Sequence, residues 1–262
     1  MNRSGQWWFV GVSSALLALL ALPLLALVWR ATTSDALSYA AAPSALAALH
    51  LSLVTSLTSV ALTVATGTPL AYALGRWRFK GSVWVELLVD VPVVLPPSVA
   101  GLALILAFGR QGMLGGWLSA LGVQLPFTTA AVVLAQVFVS APLYVRAARI
   151  GFAHIDKQLE ESAYVEGATQ WQLFRYIMLP LSGRALLSGA VLCWTRALGE
   201  FGATILFAGN LEGRTQTIPL AIYLGFERSL GVAVALSVML LVVSVALLAV
   251  LRGLENQESG PA

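Results

Sequence analysis

The sequence predicts an all-α membrane protein with six transmembrane helices, and three observations lead there. Apolar residues make up 58% of the 262 and charged residues only 10%, with a mean hydropathy of +0.84. A soluble domain carries about 25% charged residues, so composition alone excludes an ordinary globular surface. The apolar residues gather in stretches of about 20 or more, each long enough to cross a hydrocarbon core of about 30 Å. Lys and Arg fall unevenly on the short connections between those stretches.

The six stretches run at about 8–29, 50–74, 83–109, 127–149, 184–208 and 230–251. Arg3 followed by the first stretch has the look of a signal peptide. The stretch is too long for a signal core and many spans follow, so it reads as an uncleaved first span. With the first residues inside, the inner connections and span ends hold Arg3, Arg76, Arg78, Lys80, Arg146, Arg149, Lys157, Arg175, Arg184 and Arg252. The outer ones hold Arg30, Arg110, Arg214 and Arg228, while Arg196 lies within a span. Positive charge is retained on the cytoplasmic side, so both termini are expected inside a cell (inner) membrane, in contact with lipid. The tail after Arg252 is too short and polar to fold alone, which makes 1–262 a single transmembrane domain.

Several functions are excluded. No basic run grips nucleic acid. Cys193 is alone, and His50 and His154 lack companions at ligand spacing, so neither a disulfide nor a metal site is expected. No Gly-x-x-x-x-Gly-Lys-Ser/Thr occurs, so nucleotide hydrolysis must belong to a partner.

The third stretch is irregular. Val-Pro-Val-Val-Leu-Pro-Pro at 91–97 removes backbone donors where a regular helix needs them. Two readings fit: a kink used for packing, or an unwound entry with a fresh helix starting near Pro97, sheltered by protein or a wet cavity. Nearby, Glu86 and Asp90 stand four apart and are expected to meet Arg76, Arg78 or Lys80 structurally.

The inner connection 154–181 is the most informative segment. Asp156 can cap a short helix, and Gly167 suits a left-handed turn. Thr169 and Gln172 form a capping box that starts a second helix, and Pro180 is expected to stop it. A helix–turn–helix on the cytoplasmic face results, with Trp171 and Phe174 offering an apolar face to a partner.

Glu161-Ser162-Ala163, three residues, Gly167, nine residues, Ile177, one residue, Leu179-Pro180 resembles the coupling loop of ABC importer permeases. Ser162 replaces the usual Ala, one small residue for another. The resemblance implies the small type I permease core, with this loop docking on a separate ATPase subunit. Glu161, Ser162, Ala163, Gly167, Trp171, Ile177, Leu179 and Pro180 would form the coupling element.

A second resemblance concerns cargo. Arg196 to Asn210, then Gly213-Arg-Thr-Gln-Thr-Ile-Pro-Leu-Ala-Ile-Tyr223, together with Val91–Leu104, is similar to the molybdate importer permeases. Membership would imply a homodimer of this chain, two ATPase subunits that hold ATP and Mg, and an extracytoplasmic (periplasmic) molybdate-binding protein. The latter would dock on the outer segments 30–49, 110–126 and 209–229. No cofactor is expected on this chain, which is a transport subunit and no enzyme.

An anion path is drawn from residues of the third and fifth stretches. Arg196 and Glu200 stand four apart on one helical face and can pair; they either flank the gate or fix packing. Gly199 and Gly202 permit close backbone approach, and Ser98, Thr195 and Thr204 supply hydroxyl donors. A helix start at Pro97–Ser98 would aim free amides at a passing oxyanion. The alternatives are a permease for sulfate or another oxyanion, and an ion-coupled secondary transporter, which would leave the 161–180 pattern unexplained.

Overall fold

The structure is a computed structural model that describes residues 3–33, 36–77 and 79–256. Arg78 and residues 257–262 of the tail lie outside the described residues. Among the described residues every regular element is helical. In order they are α1 (Arg3–Thr32), α2 (Ala36–Ala40), α3 (Pro43–Arg76), α4 (Ser82–Val94), α5 (Pro97–Phe108), α6 (Gly115–Ala120) and α7 (Thr129–Ala153). There follow α8 (Lys157–Val165), α9 (Gln170–Gln172), a π-helical turn (Leu173–Met178), α10 (Leu179–Leu181), α11 (Gly183–Leu198), α12 (Gly202–Phe207), α13 (Ile218–Arg228) and α14 (Leu230–Asn256).

Four helices are long and apolar enough to cross a membrane alone: Gly11–Thr32, Pro43–Arg76, Thr129–Ala153 and Leu230–Ala249. The third and fifth predicted spans are broken. The chain bends by 119° from α4 to α5, with Leu95 and Pro96 extended between them, so the fresh start at Pro97 is borne out. The pair still traverses the bundle along α7. Glu86 and Asp90 meet Arg149 and Arg146 near one end of α7, whereas Ala100 and Leu104 pack with Ala131, Val132, Ala135 and Val139 toward the other.

Two expected boundaries move. The second span begins at Pro43, not near 50, because Pro43 occupies the first helical turn, where its missing N–H costs nothing. The fifth is not one helix over 184–208. It ends at Leu198, bends through Gly199–Phe201 and resumes as α12.

Helix α7 is the axis, packed on both α3 and α11. Close approach on α3 comes from a stripe of small residues, with Ser52, Thr55, Ser56, Ser59, Thr63, Gly67 and Thr68 all buried at three- and four-residue spacing. The hydroxyls of Thr55, Ser56, Ser59 and Thr68 return to their own helix or cross to neighbours. Ser59 donates to Thr55 O (2.7 Å) and Gln136 Oε1 (2.9 Å), Thr68 meets the Tyr144 hydroxyl (2.5 Å), and the Trp194 indole donates to Ser56 (2.9 Å). Helix α1 stands apart: none of its span is buried, and it packs mainly against α14.

The segment 209–229 was expected as an outer loop, and much of it is interior. Residues 211–214 are exposed, but Thr215, Gln216, Thr217 and Ile218 are buried. The Ile218 amide donates to Ser52 Oγ at 2.7 Å, about 13 Å along α3 from its start at 1.5 Å per residue. Amides carried that far into an apolar bundle need partners. The stripe on α3 supplies one.

Candidate coupling and translocation sites

The coupling segment folds as its sequence dictates. Asp156 accepts from the Gln158 amide (3.0 Å) to start α8. Gly167 has φ +84, the left-handed geometry that a side chain opposes. Thr169 and Gln172 form the full capping box: the Gln172 amide bonds Thr169 Oγ1 (3.3 Å), and the Thr169 amide bonds Gln172 Oε1 (2.8 Å).

Of the pattern residues, Ala163 is buried and Ile177 and Leu179 are half-buried, while Glu161, Ser162, Gly167, Trp171 and Pro180 are exposed. Between the two short helices lies a groove of about 330 Å³, lined by Ala163, Gly167, Gln172, Tyr176 and Ile177 among others. Leu173 and Met178 are buried in the core beneath it.

Two expectations need correcting here. Pro180 does not stop the second helix. The π-helical turn 173–178 shifts the hydrogen-bond register, and the chain passes through Pro180 to a 69° bend at Ser182. Nor does Phe174 present itself to a partner. Its ring packs inward on Tyr72 (5.0 Å, edge-on) and Phe152 (6.3 Å), while Trp171, which lies against it at 5.8 Å, and Tyr176 are exposed.

The path residues are brought together, though differently from the helical-face reading. Gly202, at the start of α12, abuts Pro97, at the start of α5: a Cβ on Gly202 would fall 2.5 Å from the Pro97 Cβ. Glu200 lies in the break and not on a shared helix with Arg196, yet the pair forms, at 2.7 Å. The break lets the carboxylate fold back. Its second oxygen accepts the Ala203 amide (2.8 Å), so Glu200, 1% exposed, also caps α12.

Gly199 is not needed for a close approach: a Cβ there would meet nothing nearer than Thr195 O, at 3.7 Å. Thr195 spends its hydroxyl on Val191 O (2.8 Å). Thr204 is buried without a hydrogen-bond partner, and Ser98 alone of the three hydroxyls is exposed. Glu86 and Asp90 pair with Arg149 (2.7 Å) and Arg146 (2.5 Å) of α7. Helical periodicity along one chain cannot reveal partners on another helix, so the expected Arg76 and Lys80 were wrong.

Residues 67–257 match the family described as the binding-protein-dependent transport system inner membrane component. The chain belongs to this family. The inner membrane component is therefore a multi-pass transport subunit that works with a binding protein.

The probable transport system permease protein NifC of Clostridium pasteurianum is 43% identical over 203 residues, covering 77% of this chain and 71% of that protein. The molybdenum transport system permease protein ModB of Mycobacterium tuberculosis is 40% identical over 237 residues, covering 90% of each chain. Among solved structures, a bacterial ABC transporter involved in import of the acidic polysaccharide alginate has a similar fold. Its TM-score is 0.77 at 17% identity, covering 98% of this chain and 97% of that one.

The permease also contains a contact that no sequence pattern pointed to. Arg76, at the end of α3, donates Nε to Glu160 Oε2 of α8 (3.1 Å), and its Nη2 pairs with the same oxygen. Nη1 donates to Ile155 O (2.8 Å) and, more weakly, to Phe152 O (3.5 Å). Arg76 and Glu160 are 84 residues apart, and neither belongs to the coupling pattern. The one available signal was that an Arg closing an apolar span needs an acceptor.

Proposed function

We propose that this permease is the membrane-spanning subunit of an ATP-driven importer of molybdate that also accepts tungstate. The carrying observation is the helix pair around Gly167, rigidly capped, exposed on its outer faces and seated on α3 and α7 from below. Such a pair suits mechanical docking into an ATPase groove and offers no catalytic chemistry. Two copies of the chain would present two pairs to two ATPase subunits, which hold ATP and Mg. Glu161, Ser162, Trp171 and Tyr176 face the partner; Ala163, Ile177, Leu179 and Pro180 hold the shape. Both termini lie on the cytoplasmic side with the coupling pair.

The anion path runs beside the junction of α5 and α12. Ser98 and the unpaired amides at the start of α5 offer donors there. The start of α12 is closed to an anion because Glu200 already occupies it. Few, dispersed donors suit a path that must release its cargo, and selectivity then belongs to the binding protein. The molybdate assignment is supported by the run Arg196–Tyr223 and by relatives named as molybdenum transport system permease proteins.

The test is uptake into proteoliposomes holding the permease, its ATPase and its binding protein, with molybdate, tungstate, sulfate and phosphate offered in turn. ATP-dependent uptake of the first two and little of the others is expected. Sulfate uptake without molybdate uptake would transfer the cargo to sulfate and leave the coupling intact. Molybdate entry driven by an ion gradient without the ATPase would make the chain a secondary transporter.

A further inference from the structure

We infer that Arg76 is a positioning residue for energy coupling: it pins the first coupling helix to the ends of α3 and α7 through Glu160. The inference rests on the coupling reading above and adds the element by which motion would leave the loop. In α8 only Ala163 is buried and only Glu160 is half-buried; the other seven of its nine residues are exposed. Those two side chains stand three apart, on one face of the helix. Ala163 contributes a methyl-sized contact. Glu160 contributes the directional one, and its partner is Arg76.

The chemistry of the pin is specific. The Arg76 side chain is 3% exposed, against 22% for Glu160, so the guanidinium is desolvated and the carboxylate reaches in from the edge. A buried guanidinium needs acceptors on several N–H groups. Beyond Glu160 it takes two carbonyls: Phe152 O in the last turn of α7, and Ile155 O in the turn that follows, at the negative end of that helix.

One planar fork thus ties α3, α7 and α8 at a single point, whereas Lys presents all its donors from one nitrogen and lacks the fork's spacing. The second coupling helix is attached differently, through Leu173, Met178 and the Phe174–Tyr72–Phe152 rings. Apolar packing tolerates sliding, whereas the charged fork fixes the distance. A push on α8 therefore passes to the two helices that carry the small-residue interface, and not only along the chain into α11.

The experiment uses the complete transporter in proteoliposomes, comparing Arg76→Gln, Arg76→Lys, Glu160→Gln and the double variant Arg76→Gln with Glu160→Gln. The readouts are co-purification of the ATPase and the number of molybdate ions imported per ATP hydrolysed. The expected result is that the ratio falls about tenfold in Arg76→Gln and Glu160→Gln, a shift of the coupled population that a loosened lever would give. Arg76→Lys should recover only part of it, and the double variant should be no worse than the worse single one.

Glu160→Gln sits at the edge and keeps the side-chain shape, so it stays informative if Arg76→Gln does not assemble. An unchanged ratio in Glu160→Gln, or additive losses in the double variant, would overturn the pin. Cross-linking of Trp171→Cys to the ATPase is read in parallel. Its absence in the otherwise native chain would mean that the docking reading itself is wrong, whatever the ratios show.

Discussion

At position 200 one carboxylate serves two partners, and this sets the consequence of changing it. Glu200 holds Arg196 with one oxygen and the Ala203 amide with the other. Glu200→Gln keeps an acceptor for the amide and loses the ion pair; Glu200→Ala loses both. A fully buried pair broken on one side costs about 3–5 kcal/mol. Arg196 is 35% exposed and can rehydrate, so Glu200→Gln is expected to cost about 1–3 kcal/mol, and Glu200→Ala about 1 more for the lost cap.

The charge-swapped pair, Arg196→Glu with Glu200→Arg, should not restore stability, since an arginine at 200 cannot accept the Ala203 amide and meets the positive end of α12. Thermal unfolding in detergent ranks the variants, and a swap as stable as the native chain would refute the capping role. Gly202→Val is expected to be worse than any of these in transport. Its Cβ would meet Pro97 at 2.5 Å, with backbone behind it, so α5 and α12 must separate. Uptake by a variant that still inserts in the membrane measures the effect.

The coupling pair and the broken spans belong to the scale of elements, where local sequence signals are strongest. Nothing lies within 4 Å of a Cβ placed on Gly167, so substitution there tests backbone geometry alone. Left-handed backbone costs an L-residue about 1–2 kcal/mol, least for Asn and most for a β-branched side chain. Gly167→Val should therefore lose ATPase co-purification and uptake while remaining in the membrane, and Gly167→Asn should keep most of both. Equal behaviour of the two would mean that the turn is not what docking requires.

The same locality explains what the sequence discloses. Gly167, Thr169, Gln172, Asp156 and Pro97 act within a few residues of themselves, and each lies in the expected conformation. Signals that depend on other helices were not legible. The partners of Glu86 and Asp90, the inward turn of Phe174, the burial of 215–218 and the Arg76–Glu160 contact all come from distant parts of the chain. The small-residue stripe on α3 does not name its partners in sequence, and its meaning appears only when α7 and α11 lie against it. Pro180 misleads for another reason: a π-helical turn relieves the clash that makes proline a helix breaker.

The whole molecule has two ends, and its residues sort between them consistently. At one end lie Lys80, the Glu86–Arg149 and Asp90–Arg146 pairs, and the coupling helices held by Arg76. At the other, the Phe127 amide reaches Phe207 O (3.4 Å) and Thr129 Oγ1 reaches Arg214 O (2.9 Å), joining the connections after α5 and α12. The third and fifth spans both carry the chain from the first end toward the second, and one crossing is proposed for each despite its bend.

The proposed arrangement has six crossings with both termini on the side of the coupling pair, and it takes its cytoplasmic assignment of that side from the basic bias. Single cysteines placed in a Cys193→Ser background decide the orientation. Gln111 and Glu212 are exposed at the second end, and Lys80 and Gln170 at the first. In intact cells an impermeant maleimide should label Gln111→Cys and Glu212→Cys, and should reach Lys80→Cys and Gln170→Cys only after the membrane is opened. A re-entrant third span would leave Gln111→Cys inside and, with α7 still crossing, would place Gln170→Cys outside and Glu212→Cys inside, whereas a re-entrant fifth span would move Glu212→Cys alone. Labelling of all four from outside would remove the crossing count altogether. Labelling of Lys80→Cys and Gln170→Cys alone would turn the molecule over, placing the coupling pair where no ATPase could meet it.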